Sequence, residues 1–340
     1  MFNLALNPPF YQTAVVCSIL YFPRWINSIF TCIKQYQLNI DKILIMRKSL
    51  TYHLVLWILK LKGVKKIFNQ SPLDYLRLRK DDVLMPQNRF LRKNISRKFT
   101  ISDSDVTEIA QPNGSEKLLI YVHGGAFVCG PAQHHWDTIA KISKNTDYNI
   151  WMCVYPKAPE HNITSINASI DQVYGQVLKE YKSQNIVLIG DSAGATLILT
   201  LAQRLIRDQN PLPKKIILIS PVLDASMQNP DIKSIEPFDP MLGIKGVLGA
   251  KQMAADQLAL NDPSISPIYG KFNGFPETIL FAAAHDITYP DQIRLARILK
   301  SEKINHQVII GDKMPHIWPL LPVMYESQLA LNEIIGNLSG

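Results

Sequence analysis

The chain has little cysteine and lacks a long apolar run. Four of its 340 residues are cysteine, and no two of them form a C-x-x-C pair. This excludes a disulfide scaffold and a zinc ribbon, and it predicts reduced thiols in a cytoplasmic protein. No uncharged apolar stretch reaches about 18 residues, which excludes a clear membrane-spanning helix. The composition, 47% hydrophobic and 19% charged, is that of a globular protein and excludes a disordered chain, a collagen or a coiled coil.

The N-terminal region also lacks a recognisable leader. Residues 14–33 are apolar, but Pro23 and Arg24 divide them into pieces too short to cross a bilayer. No basic stretch precedes this segment and no A-x-A site follows it, so we expect no secretory signal. Residues 1–45 have no clear periodicity, and the sequence from Met46 reads like a natural start. We therefore expect residues 1–45 to be a poorly ordered extension or a start-site artefact.

Positive charge is concentrated at the N-terminal end. Residues 1–100 hold 17 Lys and Arg against four Asp and Glu, whereas the remainder of the chain is mildly acidic. Residues 54–68 combine an apolar run with four lysines, a pattern that suits a helix lying on a membrane surface. The alternative is a basic helix packed on its own domain. No nucleic-acid-binding motif is present, so we predict no nucleic-acid partner and keep peripheral membrane contact as an alternative.

Short apolar runs alternate with helical stretches from about residue 116 onward. The predicted strands are residues 117–122, 149–154, 185–190, 215–220, 278–283 and 306–311. The predicted helices are residues 133–145, 164–182, 193–207, 290–302 and 319–337. Because the runs are apolar at nearly every position, they suit strands of a parallel sheet with helices on both faces. We predict an α/β fold with a mostly parallel, doubly wound sheet over residues 111–340, and functional residues at the carboxyl ends of its strands.

One long segment, residues 225–275, interrupts this alternation. It contains five prolines and a helical stretch around residues 248–259. A long insertion between two strands usually carries a lid or binding loops. We expect residues 225–275 to border the functional site.

The predicted strand at 185–190 leads directly into the sequence GDSAG at 190–194, and a predicted helix follows. This is the G-x-S-x-G pattern in the strand–turn–helix context that a nucleophile elbow requires. The serine of an elbow lies on a sharp turn, and the flanking glycines stand where side chains would clash. We predict that Ser192 is a nucleophile; the alternative is a tight structural turn.

Two adjacent glycines, Gly124 and Gly125, follow the predicted strand at 117–122. Acyl transfer needs hydrogen-bond donors where negative charge builds on the carbonyl oxygen, and backbone N–H groups at glycines can approach that oxygen closely. We predict an oxyanion hole made by the N–H groups of Gly124, Gly125 and Ala193. The alternative is a structural Gly-Gly turn beside a buried His123.

A serine nucleophile needs a histidine base and a carboxylate that orients it, in the chain order Ser, acid, His. Of the eight histidines, only His316 lies after the last predicted strand. Asp286 follows the strand at 278–283 closely, whereas Asp291 lies five residues later, where it could cap a helix. We predict that Ser192, His316 and Asp286 act together, with Asp291 as the alternative acid.

Four motifs resemble those of the hormone-sensitive-lipase-like esterases in the α/β-hydrolase superfamily. They are YVHGGAFVCG at 121–130, YPKAPEH at 155–161, GDSAG at 190–194 and SPVLD at 220–224. The resemblance covers roughly residues 110–335 and implies the α/β-hydrolase fold, carboxylester hydrolysis and the same three catalytic residues. It also implies an N-terminal helical cap, here the basic segment 46–110, to which the insertion 225–275 can contribute.

The chain departs from this family at two positions of the site. Ala126 stands in place of the third glycine of the family's HGGG segment, which could narrow the oxyanion hole. The family's usual DPL sequence at the acid is replaced by Asp286-Ile287-Thr288, which loosens the choice of acid.

These observations predict a serine carboxylesterase that hydrolyses small to medium acyl esters through an acyl-enzyme intermediate, without metal or cofactor. The alternatives are an acetyl-ester deacetylase or a peptidase on the same fold, because a fold does not fix the substrate. A non-catalytic hydrolase-fold binding protein is a third alternative, but it has no need of Ser192, Asp286 and His316 together. The predicted location is the cytoplasm, with peripheral membrane contact as the alternative, and the oligomeric state stays open.

Overall fold

A computed structural model of the chain describes residues 42–44 and 48–339, with side chains for residues 48–339. Within these residues nine strands form one sheet: β1 (Lys42–Leu44), β2 (Ile95–Ile101), β3 (Ser104–Ile109), β4 (Leu118–Val122), β5 (Asn149–Val154), β6 (Ile186–Asp191), β7 (Lys215–Ile219), β8 (Glu277–Ala283) and β9 (His306–Gly311). Their spatial order is β1-β9-β8-β7-β6-β4-β5-β3-β2. Strand β3 pairs antiparallel with β2 and β5, and every other neighbouring pair is parallel.

The helices lie between these strands and before them. They are α1 (Leu50–Leu61), α2 (Val64–Phe68), α3 (Tyr75–Leu78), α4 (Arg89–Asn94), α5 (Gln133–Asn145), α6 (Ile163–Glu180), α7 (Ser192–Arg207), α8 (Ile232–Ile235), α9 (Ile244–Ala255), α10 (Tyr289–Ser301) and α11 (Tyr325–Ser339). Short 3₁₀ helices cover Arg79–Asp81, Ser183–Asn185, Glu236–Phe238, Pro267–Tyr269 and Trp318–Leu320. Among the described residues, no helix combines the length and the apolar character needed to cross a bilayer.

Helices cover both faces of the sheet. Alternate strand residues, such as Leu119, Ile150 and Ile217, pack on one face with side chains of α1, α4, α5 and α11. On the other face, α6, α7 and α10 contact the strands. Because side chains alternate between the two faces of a strand, a strand covered on both sides must be apolar throughout. The residues of β4 and β7 are accordingly all buried, and the predicted doubly wound, mostly parallel sheet is confirmed.

The N-terminal region differs from its predicted organisation. Strands β2 and β3 lie within the predicted cap segment 46–110 but belong to the main sheet, so the boundary at residue 110 does not separate cap from sheet. The helical cap is confined to α1–α4. The predicted extension, residues 1–45, lies outside the described residues except for Lys42–Leu44, which pairs with β9.

Charged side chains attach the helical cap to the loops at the carboxyl edge of the sheet. Arg79 donates hydrogen bonds to the backbone oxygens of Val128 and Ala158 and forms a two-pronged ion pair with Glu160. The ammonium of Lys157 donates to Asp82 of the cap at 2.6 Å. Glu160 and Lys157 belong to the YPKAPEH segment, so this segment connects the cap with the loop that follows β4.

Candidate active site

The loop between β6 and α7 places Ser192 at the carboxyl edge of the sheet. Ser192 has a φ of 50°, a left-handed backbone conformation that residues other than glycine rarely adopt. The backbone turns so tightly that a Cβ on Gly194 would lie 2.0 Å from the oxygen of Val122. A Cβ on Gly190 would lie 2.8 Å from the carbonyl carbon of Gly194. The two glycines of GDSAG are therefore required by space, as expected for an elbow.

Three side chains from separate strand ends form one hydrogen-bonded chain. The Oγ of Ser192, at the end of β6, lies 2.9 Å from Nε2 of His316. The Nδ1 of His316, which follows β9, lies 2.6 Å from Oδ2 of Asp286, which follows β8. All three residues are buried. With the proton on Nδ1 donated to the carboxylate, Nε2 is free to accept the serine proton.

Other donors hold the Asp286 carboxylate in place. The backbone N–H and the hydroxyl of Thr288 both donate to Oδ1, each at 2.8 Å. The side-chain amide of Gln292 donates to Oδ2 at 3.0 Å. Asp286 is fully buried, so these bonds and the bond from His316 replace the water it would have at a surface. The carboxylate is therefore oriented before any substrate binds.

The alternative acid, Asp291, has a different partner. It lies in the first turn of α10, where its Oδ1 accepts a hydrogen bond from Asn229 at 2.8 Å. Burial is the main cause that raises the pKa of Asp291. The structure thus brings Asp286, and not Asp291, to His316.

Electrostatics favour the protonated form of His316. Burial alone would lower the pKa of His316, but the charge of Asp286 and its hydrogen bond outweigh burial, and the pKa is raised. Asp239 and Asp191 add to this effect from farther away. A histidine must be neutral to accept a proton, so a general base at this position would act only above the raised pKa.

The geometry of the loop after β4 differs from the predicted oxyanion hole at one residue, Gly124. The N–H of Gly124 donates to Oδ1 of Asp191 at 3.0 Å, so this N–H is not available to an oxyanion. Gly125 follows with a φ of 127° and Ala126 with a φ of 55°. The backbone N–H groups of Gly125, Ala126 and Ala193 make no hydrogen bond to another described residue. Ala126 was identified in the sequence only as a departure from the HGGG pattern.

Asp191 organises this loop, a role that the sequence did not reveal. Besides the N–H of Gly124, it accepts the hydroxyl of Tyr121 at 3.2 Å and lies 3.3 Å from Nε2 of His135. Burial alone would raise the pKa of Asp191, but His135, His134 and the Gly124 N–H outweigh burial and lower it to about 2. A carboxylate whose low pKa favours its charged form therefore fixes the loop that precedes Gly125.

Ser220, in the SPVLD motif, positions the loop that carries His316. Its hydroxyl accepts a hydrogen bond from the backbone N–H of Ile317 at 3.1 Å. Ile317 has a φ of 49°, so the chain takes a left-handed turn directly after His316. The buried hydroxyl of Ser220 satisfies an N–H that this turn would otherwise leave without a partner.

A cavity of about 220 Å³ opens at the serine. The cap and the insertion 225–275 build its apolar wall, which includes Phe68 and Leu78 from the former and Met241 and Leu242 from the latter. The remaining lining residues come from the elbow, the histidine loop, the loop after β4 and the cap: Ser192, His316, Ile317, Asp191, Gly124, Gly125, Ala126, Cys129, Gly130, Ala132, His134, His135, Asp81 and Asp82. The insertion therefore contributes Met241 and Leu242 to the wall of this cavity.

Proteins with similar sequences or structures include several esterases. A sequence profile of the family described as alpha/beta hydrolase fold matches residues 119–320. An esterase from Acinetobacter venetianus is 30% identical over 55% of this chain, and the match spans 62% of that relative, less than two thirds of its length. A crystal structure of a Staphylococcus aureus protein assigned as an esterase has a TM-score of 0.69 and 28% identity, covering 91% of this chain and 98% of that one.

A further solved structure belongs to the family indicated by the four motifs. It is an esterase from the bacterial hormone-sensitive lipase family, with a TM-score of 0.74 and 21% identity, covering 86% of this chain and 98% of that chain. At this identity the likeness concerns the fold. The profile covers more than half of the chain, and the sheet, the elbow and the hydrogen-bonded Ser192, His316 and Asp286 agree with it. The chain therefore belongs to the α/β-hydrolase fold family, within which it resembles the hormone-sensitive-lipase-like esterases.

Proposed function

We propose that this protein is a carboxylic ester hydrolase with Ser192 as nucleophile, His316 as base and Asp286 as the residue that orients the histidine. The contact that carries the proposal is the 2.9 Å approach of Ser192 Oγ to His316 Nε2 beside the cavity. His316 takes the proton from Ser192 as Oγ attacks the ester carbonyl, and then gives it to the departing alcohol. Water, activated by the same histidine, hydrolyses the acyl-enzyme and restores the free serine.

The oxyanion hole in this proposal consists of the backbone N–H groups of Gly125, Ala126 and Ala193. The N–H of Ala126 takes the place of the Gly124 N–H in this set, because the Gly124 N–H donates a hydrogen bond to Asp191. The N–H of Ala193 lies in the first turn of α7, where helix N–H groups have no partner within the helix. Loss of one such donor typically costs roughly 3 kcal/mol of transition-state stabilisation.

The cavity supports a small acyl group. Its volume of about 220 Å³ lies below the roughly 300–1,000 Å³ of pockets that take drug-sized ligands. Phe68, Leu78 and Leu242 offer apolar surface to an alkyl chain. We propose short to medium acyl esters as substrates, with acetyl esters as those with the smallest acyl group. The name of the Acinetobacter relative, an esterase, agrees with ester hydrolysis. The cytoplasmic location and the peripheral membrane contact remain predictions.

A series of p-nitrophenyl esters from acetate to decanoate tests the proposal. We expect turnover that peaks at short chains and is lost in Ser192→Ala, because the acyl-enzyme cannot form without the hydroxyl. The matched control is Ser301→Ala, which removes an exposed hydroxyl at the end of α10 and should leave turnover unchanged. Turnover that persists in Ser192→Ala would contradict the assignment. Cleavage of an acetylated sugar or a peptide in the absence of any p-nitrophenyl turnover would point to the deacetylase or peptidase alternative.

A further inference from the structure

Helix α1 is apolar on two opposite sides. One side, with Tyr52 and Val55, is buried in the hydrophobic core between the sheet and helices α1, α4, α5 and α11. The other side is exposed, with relative exposures of 89%, 47%, 59% and 65% for Leu50, Leu54, Trp57 and Leu61. These four positions are spaced by three or four residues and therefore share one helix face. A helix that is apolar all round is normally buried all round, so the exposed face lacks a partner within the described chain.

The charge next to this face has one sign. From residue 48 to residue 73 the sequence contains five lysines and no Asp or Glu. Lys60, Lys62 and Lys66 are exposed at the end of α1 and in α2. Lys65 instead donates to the backbone oxygen of Glu236, and Lys48 pairs with Asp312. Three exposed lysines therefore lie at the end of the helix that carries the apolar face and just after it, and the same segment contains no acidic side chain.

We propose that the exposed face of α1, together with Lys60, Lys62 and Lys66, docks on an anionic lipid surface. Apolar side chains would enter the boundary between headgroups and acyl chains, and the lysines would contact acidic headgroups. With 12 residues, α1 is about 18 Å long, too short to span a hydrocarbon core of about 30 Å, so it lies in the plane of the surface. A second copy of the chain is a poorer occupant, because the same face on that copy supplies lysines and no carboxylate.

The docked surface leads to the cavity. Helix α2 ends at Phe68, which lines the cavity beside Ser192. The residue after it, Asn69, accepts a hydrogen bond from the backbone N–H of Gly246 in α9 of the insertion. An amphiphilic ester held in the lipid surface would thus reach the cavity along α2. This last step rests on the proposed esterase function, whereas the docking does not.

Co-sedimentation of the full-length protein with vesicles tests the docking. The vesicles contain either equal parts of phosphatidylglycerol and phosphatidylcholine or phosphatidylcholine alone, at low ionic strength. One variant carries Leu54→Ser and Trp57→Ser, and a second carries Lys60→Gln, Lys62→Gln and Lys66→Gln. The apolar control is Leu258→Ser, a leucine of the insertion that is 36% exposed. The charge control replaces three exposed lysines outside this segment, Lys98, Lys182 and Lys303, by glutamine.

We expect binding to the anionic vesicles that weakens with salt and is much weaker on phosphatidylcholine. The apolar variant should lose at least about tenfold in partitioning. The lysine variant should lose about a hundredfold, at roughly fivefold for each lysine near an anionic surface. Both controls should bind like the parent protein. Turnover of soluble p-nitrophenyl acetate should be the same in all of these variants, so a failure of docking and a failure of esterase activity are seen separately.

Three outcomes would overturn the proposal. The first is the absence of binding to anionic vesicles, and the second is binding that neither variant weakens. The third is another occupant of the face. A parent protein that is dimeric by light scattering, becomes monomeric in the apolar variant and does not bind vesicles would place a second copy there. If Trp57 is protected from acrylamide quenching in the monomer without lipid, as judged against Trp57→Phe, another part of this chain covers the face.

Discussion

The carboxylate of Asp239 accepts a hydrogen bond from the backbone N–H of Ile287, the residue after Asp286, at 2.9 Å. Its other oxygen accepts the N–H groups of Met241 and Leu242, each at 2.8 Å. One buried side chain of the insertion therefore fixes both the loop of the proposed catalytic acid and two residues of the cavity wall. Burial and repulsion by Asp286 raise the pKa of Asp239 well above its usual range.

Replacement of Asp239 by asparagine should lower both turnover and folding stability. The amide offers a single acceptor oxygen in place of two, so at least one of the three N–H groups is left without a partner. We expect kcat to fall on the order of tenfold, because a buried unpaired N–H costs about 1–3 kcal/mol and loosens the acid loop. Where Asp239 is ionised, its negative charge also raises the pKa of His316. The acid limb of the kcat/KM profile should therefore move to lower pH.

The control for this experiment is Asp231→Asn, which changes an exposed carboxylate of the same insertion. Its pH profile should match that of the parent protein. A slower Asp239→Asn variant with an unshifted acid limb would mean that Asp239 supports the loop without contributing to the charge at His316.

The pH dependence of turnover should report His316 directly. Neutral imidazole is the active form, and the pKa of His316 is raised above its ordinary 6.5. Turnover should therefore fall as the pH drops through a value above 6.5. In Asp286→Asn the charge that raises this pKa is lost. The remaining activity should be at least about a thousandfold lower than that of the parent protein, and its acid limb should lie at lower pH. The measurement is kcat/KM of p-nitrophenyl acetate from pH 5 to 9; an unchanged acid limb in Asp286→Asn would contradict the assigned acid.

Contact between the cap and the insertion should depend on Gly246. A Cβ at this position would lie 1.2 Å from the backbone oxygen of Phe68. Gly246→Ala should therefore push α2 away from α9, displace Phe68 from the cavity and raise KM for the longer acyl esters. Gly249→Ala in the same helix is the matched control, since its nearest neighbour would be a side-chain carbon of Leu73 at 3.9 Å. Because alanine favours a helix by about 1 kcal/mol over glycine, we expect Gly249→Ala to be neutral or stabilising in thermal unfolding.

A buried lysine should make stability depend on pH. Lys251 is fully buried over the ring of Phe127, 4.2 Å from its centroid, and its ammonium has no hydrogen-bond partner among the described residues. Burial lowers the pKa of Lys251 to about 7, although Asp224 opposes this shift. The unfolded chain keeps the ordinary pKa of 10.5 and so binds more protons between these values. The free energy of unfolding should therefore rise with pH from about 7 to about 10.

Lys251→Met removes the group responsible for this dependence. We expect a higher Tm at pH 7 and a weaker rise of Tm between pH 7 and 9, because no buried ammonium has to be desolvated. Thermal unfolding of both proteins across this range is the measurement. A lower Tm of Lys251→Met at every pH would show that the contact with Phe127 outweighs the cost of burial.

The sequence predicted the inner sheet well because its signal is local. All six predicted strands are present, and the helix at 133–145 was predicted with its observed bounds. Strand β2 was missed because it lies at the sheet edge, where most of its side chains face solvent and the apolar run disappears. Its partner β3 was missed together with it.

The candidate site could be predicted only where a motif marks it. Ser192 and His316 follow strand ends in recognisable patterns, and the structure brings them together with Asp286. Gly124 was predicted as an oxyanion-hole donor, but its N–H donates to the Asp191 carboxylate, 67 residues later in the chain. No sequence pattern reveals that hydrogen bond. Asp239 was missed for the same reason, since it reaches Ile287 across 48 residues of chain.

Mass spectrometry of the intact protein after exposure to a fluorophosphonate tests the central proposal most directly. An activated serine displaces fluoride and keeps the phosphonyl group, whereas an ordinary serine does not react. We predict one adduct on the parent protein, located at Ser192 by peptide mapping, none on Ser192→Ala, and labelling of His316→Ala that is slower by at least about a hundredfold. An unlabelled parent protein, or equally fast labelling of His316→Ala, would contradict a serine activated by His316.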